Sequence, residues 1–136
     1  MDASTFAALA LACAPLVDPS TARALVAVES GFNPHAIGVV GGTLVGQPRN
    51  RAEALATARA LQMENWNFSV GLAQINLHSL KRLGLSLEAA LDPCLNLAGM
   101  QAVLTECLER TNPRQTDRQR SLRQALSCYY SGDFTT

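Results

Sequence analysis

Apolar residues recur at helical spacing in five stretches of the chain: Phe6–Cys13, Ala22–Glu29, Ala52–Met63, Leu97–Leu108 and Leu122–Tyr129. The pattern predicts a mainly α fold. Asp18-Pro19 and Asp92-Pro93 each place a capping carboxylate before a proline at the first helical position, which marks two of the helix starts. Gly31 and Pro34 are expected to stop the helix that begins at Pro19. Between Ile37 and Pro48 the spacing changes to β-branched residues around glycines (Ile37, Val39, Val40, Gly41, Gly42, Thr43, Val45), which predicts a small β hairpin as the one convincing β element. No repeat, low-complexity tract or linker divides the chain, so residues 1–136 read as a single domain. Ser131 to Thr136 ends without a structural terminator and reads as a truncation point.

One helical stripe carries an anomaly. Positions 22, 25, 26 and 29 share a face, and they hold Ala22, Leu25, Val26 and Glu29. A carboxylate therefore lies on the apolar face, in the last turn, where the negative end of the helix dipole disfavours its charge. Desolvation and dipole both raise its pKa, which suits a general acid for glycosidic cleavage. The plainer alternative is a glutamate that reaches solvent or pairs with Arg23 or Arg49.

Composition narrows the partners. The 136 residues are 48% apolar, enough for a real core, and eleven basic side chains balance eleven acidic ones. That balance disfavours nucleic acid and anionic membrane surfaces. Arg110, Arg114, Arg118, Arg120 and Arg123 crowd near the C-terminus and read as a solvated face. The apolar stretch Phe6 to Val17 ends in Ala12-Cys13-Ala14, as a signal peptide would, but Asp2 replaces the positive leading region, so it reads as a core helix. No apolar run is long enough to insert in a membrane, and a true export signal could have been removed before Met1.

Cys13, Cys94, Cys107 and Cys128 show no close C-x-x-C spacing, and neither a metal nor another cofactor is expected. If the segment after Asp92 is one straight helix, Cys94 and Cys107 are roughly 20 Å apart, too far to bond. The pairings 13–94 with 107–128 and 13–107 with 94–128 both remain, as do four buried free thiols. Disulfides would indicate an oxidising compartment.

Three blocks carry a family resemblance. Glu29-Ser30-Gly31-Phe32-Asn33-Pro34, followed by Ala36-Ile37-Gly38, resembles the Glu-Ser-x-x-x-Pro motif of lytic transglycosylases in the lysozyme-like superfamily. Ser69-Val70-Gly71-Leu72-Ala73-Gln74-Ile75-Asn76 is similar to the family's Gly-Leu-Met-Gln-Ile segment, and Ala125 to Gly132 to its Ala-Tyr-Asn-Ala-Gly segment. The run Ala36 to Val40 with Gln47-Pro48, then Asn67 to Leu72 and Cys128 to Gly132, resembles more narrowly the VirB1-type enzymes that accompany type IV secretion systems.

The resemblance implies a helical lysozyme-like domain (mainly α, of α+β lysozyme type) with a small β hairpin bordering a sugar groove. It implies a periplasmic enzyme acting on peptidoglycan glycan strands, with secretion-system components as further partners. Glu29 would be the single catalytic acid/base. Ser30, Ser69, Gly71, Gln74, Asn76, Asn96 and Tyr129 would contact substrate, with Trp66 and Phe68 offering rings for sugar stacking. Departures from the family pattern are Ala73 for methionine, Val70 between Ser69 and Gly71, Met100 where a glycine is usual, and Tyr130 for asparagine. A second carboxylate would be needed for two-carboxylate hydrolysis. The nearest in sequence, Glu53 and Glu64, sit on the helix after the hairpin, where structural roles are expected. A hydrolytic muramidase and a non-catalytic wall-binding module are the rival readings.

Overall fold

A computed structural model describes residues 1–111, 114 and 116–131; the side chain of Ser131 and the expected truncation point beyond it, with Gly132 of the third block, lie outside the described residues. The chain forms two compact units, Met1–Gly99 and Met100–Thr136.

The first unit holds helices α1 (Ala3–Cys13), α2 (Pro19–Ser30), α3 (Arg51–Met63), α4 (Leu77–Leu83) and α5 (Leu87–Ala90), with strands β1 (Ile37–Val39), β2 (Phe68–Val70) and β3 (Ile75–Asn76). Helix α6 (Pro93–Glu109) begins in it, and the second unit holds the rest of α6 and α7 (Arg118–Ser131). The predominance of helix bears out the expected mainly α class.

The helix starts follow their caps. Asp18 accepts from the Ser20 amide at 2.9 Å, with Pro19 at the first helical position of α2. Asp92 likewise accepts from the Leu95 amide at 2.9 Å at the head of α6. Helix α2 stops at Gly31, whose φ of 60° is the left-handed conformation that glycine adopts without a steric cost.

The expected hairpin within residues 37–48 does not form. Strand β1 pairs instead with β2, antiparallel, matching Ile37 with Val70, Gly38 with Ser69 and Val39 with Phe68, and β3 adds to the far side of β2. The reason lies in Gln47. Its side chain accepts from the Ile37 amide and donates to the Ile37 carbonyl, both at 2.9 Å, and so occupies the edge of β1 where a returning strand would pair. Residues 40–47 are a loop closed by one side-chain amide.

Alternation along the sheet separates core from surface. Ile37, Phe68, Val70 and Ile75 are buried, as are Leu25 and Val26 of α2 and Leu72 in the loop after β2. Gly38, Ser69 and Asn76 occupy the opposite, more polar face.

All four cysteines are oxidised: Cys13 bonds Cys94, and Cys107 bonds Cys128, the first of the two expected pairings. Cys94 and Cys107 both lie on the continuous helix α6, as the distance argument required. With sequence separations of 81 and 21 residues, the loop-entropy relation gives each bridge roughly 3–5 kcal/mol of stabilisation.

Candidate active site

Glu29 emerges from the stripe that the sequence marks. Ala22, Leu25 and Val26 are buried at 0–1% exposure, and Glu29, one turn further on, is half-buried. Burial raises its carboxyl from the ordinary 4.5 to about 7. Near neutral pH the group thus holds its proton about half the time, the condition for a group that must first give a proton and then take one. The Arg49 alternative is closed, because Arg49 pairs with Glu53 at 2.9 Å.

The chain turns abruptly after the helix. Gly31 and Phe32 both adopt positive φ, 60° and 64°. A left-handed phenylalanine costs of order 1 kcal/mol or more, and its ring is held edge-on to Phe6 with centroids 5.1 Å apart. This turn delivers the chain from Glu29 into β1.

Two clamps lock the end of α2 and the turn after it to the β2–β3 loop, and a third ties that loop to α5 and α6. The Ser30 hydroxyl donates to the Leu72 carbonyl at 2.7 Å. The Ala36 carbonyl accepts from the Gly71 amide and from the Gln74 side-chain amide, each at 2.9 Å. The Asn96 side chain donates to the carbonyls of Val70 and Ala90 and accepts from the Ala73 amide at 2.9 Å. Glu29 therefore directly precedes the first of these clamps, at the end of α2 that they hold in place.

On that face, a Cβ on Gly38 would fall 2.7 Å from Gln74 Oε1, so the Gln74 carbonyl lies over the bare strand position. Its amide nitrogen is spent on Ala36 and Gly71. Asn76 caps α4 by accepting from the His78 amide and donates to Asn67 Oδ1 at 2.8 Å and, more weakly, to Ser69 Oγ at 3.4 Å. With Ser69 already accepting from Asn76, its hydroxyl hydrogen is the group left to donate.

Several expected roles change accordingly. Asn96 is 1% exposed with both ends of its amide bonded to backbone, so it braces the loop and cannot reach a ligand. Gly71 is required by the same brace: its φ is +83°, and a Cβ would fall 2.2 Å from Asn96 Nδ2. The Ser30 hydroxyl is committed to the Leu72 carbonyl. Phe68 is fully buried, and Trp66, 40% exposed, packs against Gly42 of the 40–47 loop, where a Cβ would meet both its ring and Val39 at 3.3 Å. Tyr129 lies half-buried in α7 of the second unit, edge-on to Tyr130 with centroids 6.1 Å apart.

Glu53 accepts from the Arg49 amide and guanidinium, which hold its pKa below the usual range, and Asn50 completes the cap by accepting from the Glu53 amide. Glu64 terminates α3. Sequence reasoning missed Asn67 and Gln47 as organisers. Their signal is faint, a single amide beside a three-residue strand.

Glu29, a half-buried acid with a raised pKa on a mainly helical chain, is a candidate general acid. The chain belongs to the transglycosylase SLT domain family, whose model matches residues 6–136, which bears out the lysozyme-like fold class. It is 48% identical over 131 residues to the type IV secretion system protein virB1 of Brucella suis biovar 1 (strain 1330), covering 96% of this chain and 55% of that protein. It is 39% identical over 125 residues to protein virB1 of Agrobacterium fabrum (strain C58 / ATCC 33970), covering 90% and 50%, and 33% identical over 138 residues to protein virB1 of Rhizobium radiobacter, covering 98% and 56%. The chain spans about half the length of these curated relatives, and the resemblance to VirB1-type sequences is borne out. No solved structure matches it.

Proposed function

We propose that residues 1–136 act as one lytic transglycosylase domain that cleaves the β-1,4 bond between N-acetylmuramic acid and N-acetylglucosamine in peptidoglycan. The observation that carries the reading is Glu29, a carboxyl whose pKa burial raises to about 7 on an otherwise apolar stripe.

In the first step Glu29 donates its proton to the glycosidic oxygen as the bond from C1 of the muramic sugar breaks, and the positive charge builds on C1 and the ring oxygen. In the second, Glu29, now a carboxylate, takes the proton from the C6 hydroxyl of the same sugar while O6 bonds to C1. The product is a 1,6-anhydro sugar, no water is consumed, and Glu29 ends protonated. The commitment of Glu53 to Arg49 supports a mechanism with one carboxyl.

Substrate contact falls to groups that the fold leaves unspent: Gln74 Oε1 and the Ser69 hydroxyl on the sheet face, with Asn76 beside them held by Asn67. Tyr129 takes the tyrosine of the third block, which the family resemblance makes a candidate for substrate contact. The relatives named for type IV secretion support a periplasmic role, opening the wall locally for that apparatus. Among the described residues no helix is long and apolar enough to cross a membrane.

Glu29→Gln is the test. Removing a general acid should lower cleavage of purified peptidoglycan roughly a hundred- to ten-thousand-fold while sugar binding survives. Unchanged turnover would remove Glu29 from the mechanism.

A further inference from the structure

The peptide bond between Ala36 and Ile37 is gripped at both ends by side-chain amides. Gln74 Nε2 donates to its carbonyl, that of Ala36, at 2.9 Å, and Gln47 Oε1 accepts from its N–H, that of Ile37, at 2.9 Å. Gln47 Nε2 then donates to the Ile37 carbonyl at 2.9 Å, so one side chain satisfies both backbone groups of Ile37 on the edge strand of the sheet.

The two glutamines are therefore in series through one peptide group. A bond accepted from an amide N–H polarises the carbonyl of the same peptide and strengthens the bond which that carbonyl accepts. Gln74 Nε2 also donates to the Gly71 carbonyl at 3.0 Å. These two carbonyls fix which way round the Gln74 amide lies, because the reverse would set Oε1 against two oxygens.

Local preference does not hold Gln74 there. Its φ of 50° is left-handed, a conformation unfavourable for a residue with a Cβ. Its Oε1 takes no donor among the described residues and lies over the exposed Gly38, where a Cβ would stand 2.7 Å away. The acceptor is held in place through its own nitrogen, and so through the peptide that Gln47 grips. Such an oxygen is set to receive an N–H or O–H from a ligand without first being ordered.

We infer that Gln47 is a positioning residue: by holding the Ala36–Ile37 peptide it fixes Gln74 Oε1 as the acceptor for a donor on the bound sugar. The inference rests on the peptidoglycan reading above and deepens it, adding a determinant of sugar affinity that need not touch the sugar.

The test is a double-mutant cycle on the intact, oxidised protein, with the β-1,4-linked tetramer of N-acetylglucosamine as probe and amide chemical shifts giving Kd. Losing one well-placed hydrogen bond should weaken binding roughly three- to tenfold, in Gln47→Ala as in Gln74→Ala. The double variant should bind within about twofold of Gln74→Ala, because Gln47 then has no acceptor to position. Gln47→Met keeps the length of the side chain but neither bond, and should match Gln47→Ala. Factors that multiply in the double variant, a Gln47→Met or Gln47→Ala protein that binds as the wild type does, or a wild type that does not bind the tetramer would each overturn the inference. On soluble glycan strands Gln47→Ala should raise KM by the same factor and leave kcat within about twofold, and a loss confined to kcat would overturn it too. A wild type that follows this binding pattern yet cleaves no glycan would keep the inference and overturn the transglycosylase reading instead.

Discussion

Replacing Glu29 by glutamine keeps the side chain's shape and removes the charge that burial disfavours, so the substitution should act on stability as well as on activity. The folded carboxyl titrates at about 7 against an ordinary 4.5. Below pH 4.5 the carboxyl is protonated folded or unfolded, and wild type and variant should keep a constant difference. Between pH 4.5 and 7 the folded state binds the extra proton, so wild-type stability falls as pH rises; above 7 the loss is complete. A shift of this size corresponds to roughly 3 kcal/mol at full value. Solvent contact with the half-buried group reduces that to about 1–2 kcal/mol. Glu29→Gln should therefore gain about 1–2 kcal/mol on the wild type between pH 4 and pH 8, or about 3–8 °C in Tm. Paired thermal melts across that range, disulfides intact, measure it. Parallel stability curves for the two proteins would refute the claim that Glu29 is a desolvated acid.

Other substitutions probe the clamps on the β2–β3 loop. Gly71→Ala places a side chain at a φ of +83° and 2.2 Å from Asn96 Nδ2, and should cost about 3 kcal/mol or more in denaturant unfolding. Ser30→Ala strips the Leu72 carbonyl of its 2.7 Å donor and should cost about 1–2 kcal/mol by the same assay, with a further fall in kcat as the end of α2 loosens. Intact mass under non-reducing conditions should match two disulfides, and peptide mapping should recover 13–94 and 107–128; free alkylation of all four thiols would contradict the pairing.

The extent to which the fold and site can be read from sequence follows the range of the forces involved. The Asp-Pro pairs at 18–19 and 92–93 act within one turn, so they reveal α2 and α6 directly. Glu29 is legible because an apolar stripe with one acid in it is a local pattern, and burial there is what raises its pKa. Strands β2 and β3, three and two residues long, are too short for periodicity to register, and the pairing of β2 with β1 spans α3. The hairpin expected at 37–48 fails for the same reason: Gln47 satisfies Ile37 through its side chain, a choice that local β propensity does not reveal.

The distinction between exposed and inward polar groups is equally non-local. Asn96 and Gln74 look alike as amides near glycine-rich loops. Asn96 is buried between three backbone groups, whereas Gln74 spends its nitrogen on two and leaves its oxygen over Gly38. That difference depends on where residues 70–74, 90 and 96 converge, which only the assembled fold determines.

The most direct test of the account is the mass of the products released from purified peptidoglycan. Transfer of the glycosidic bond to the C6 hydroxyl predicts muropeptides lighter by one water than the corresponding reducing sugars, and their loss in Glu29→Gln. Reducing-end products that incorporate solvent oxygen would contradict the single-carboxyl transglycosylase mechanism and identify a hydrolase on the same fold.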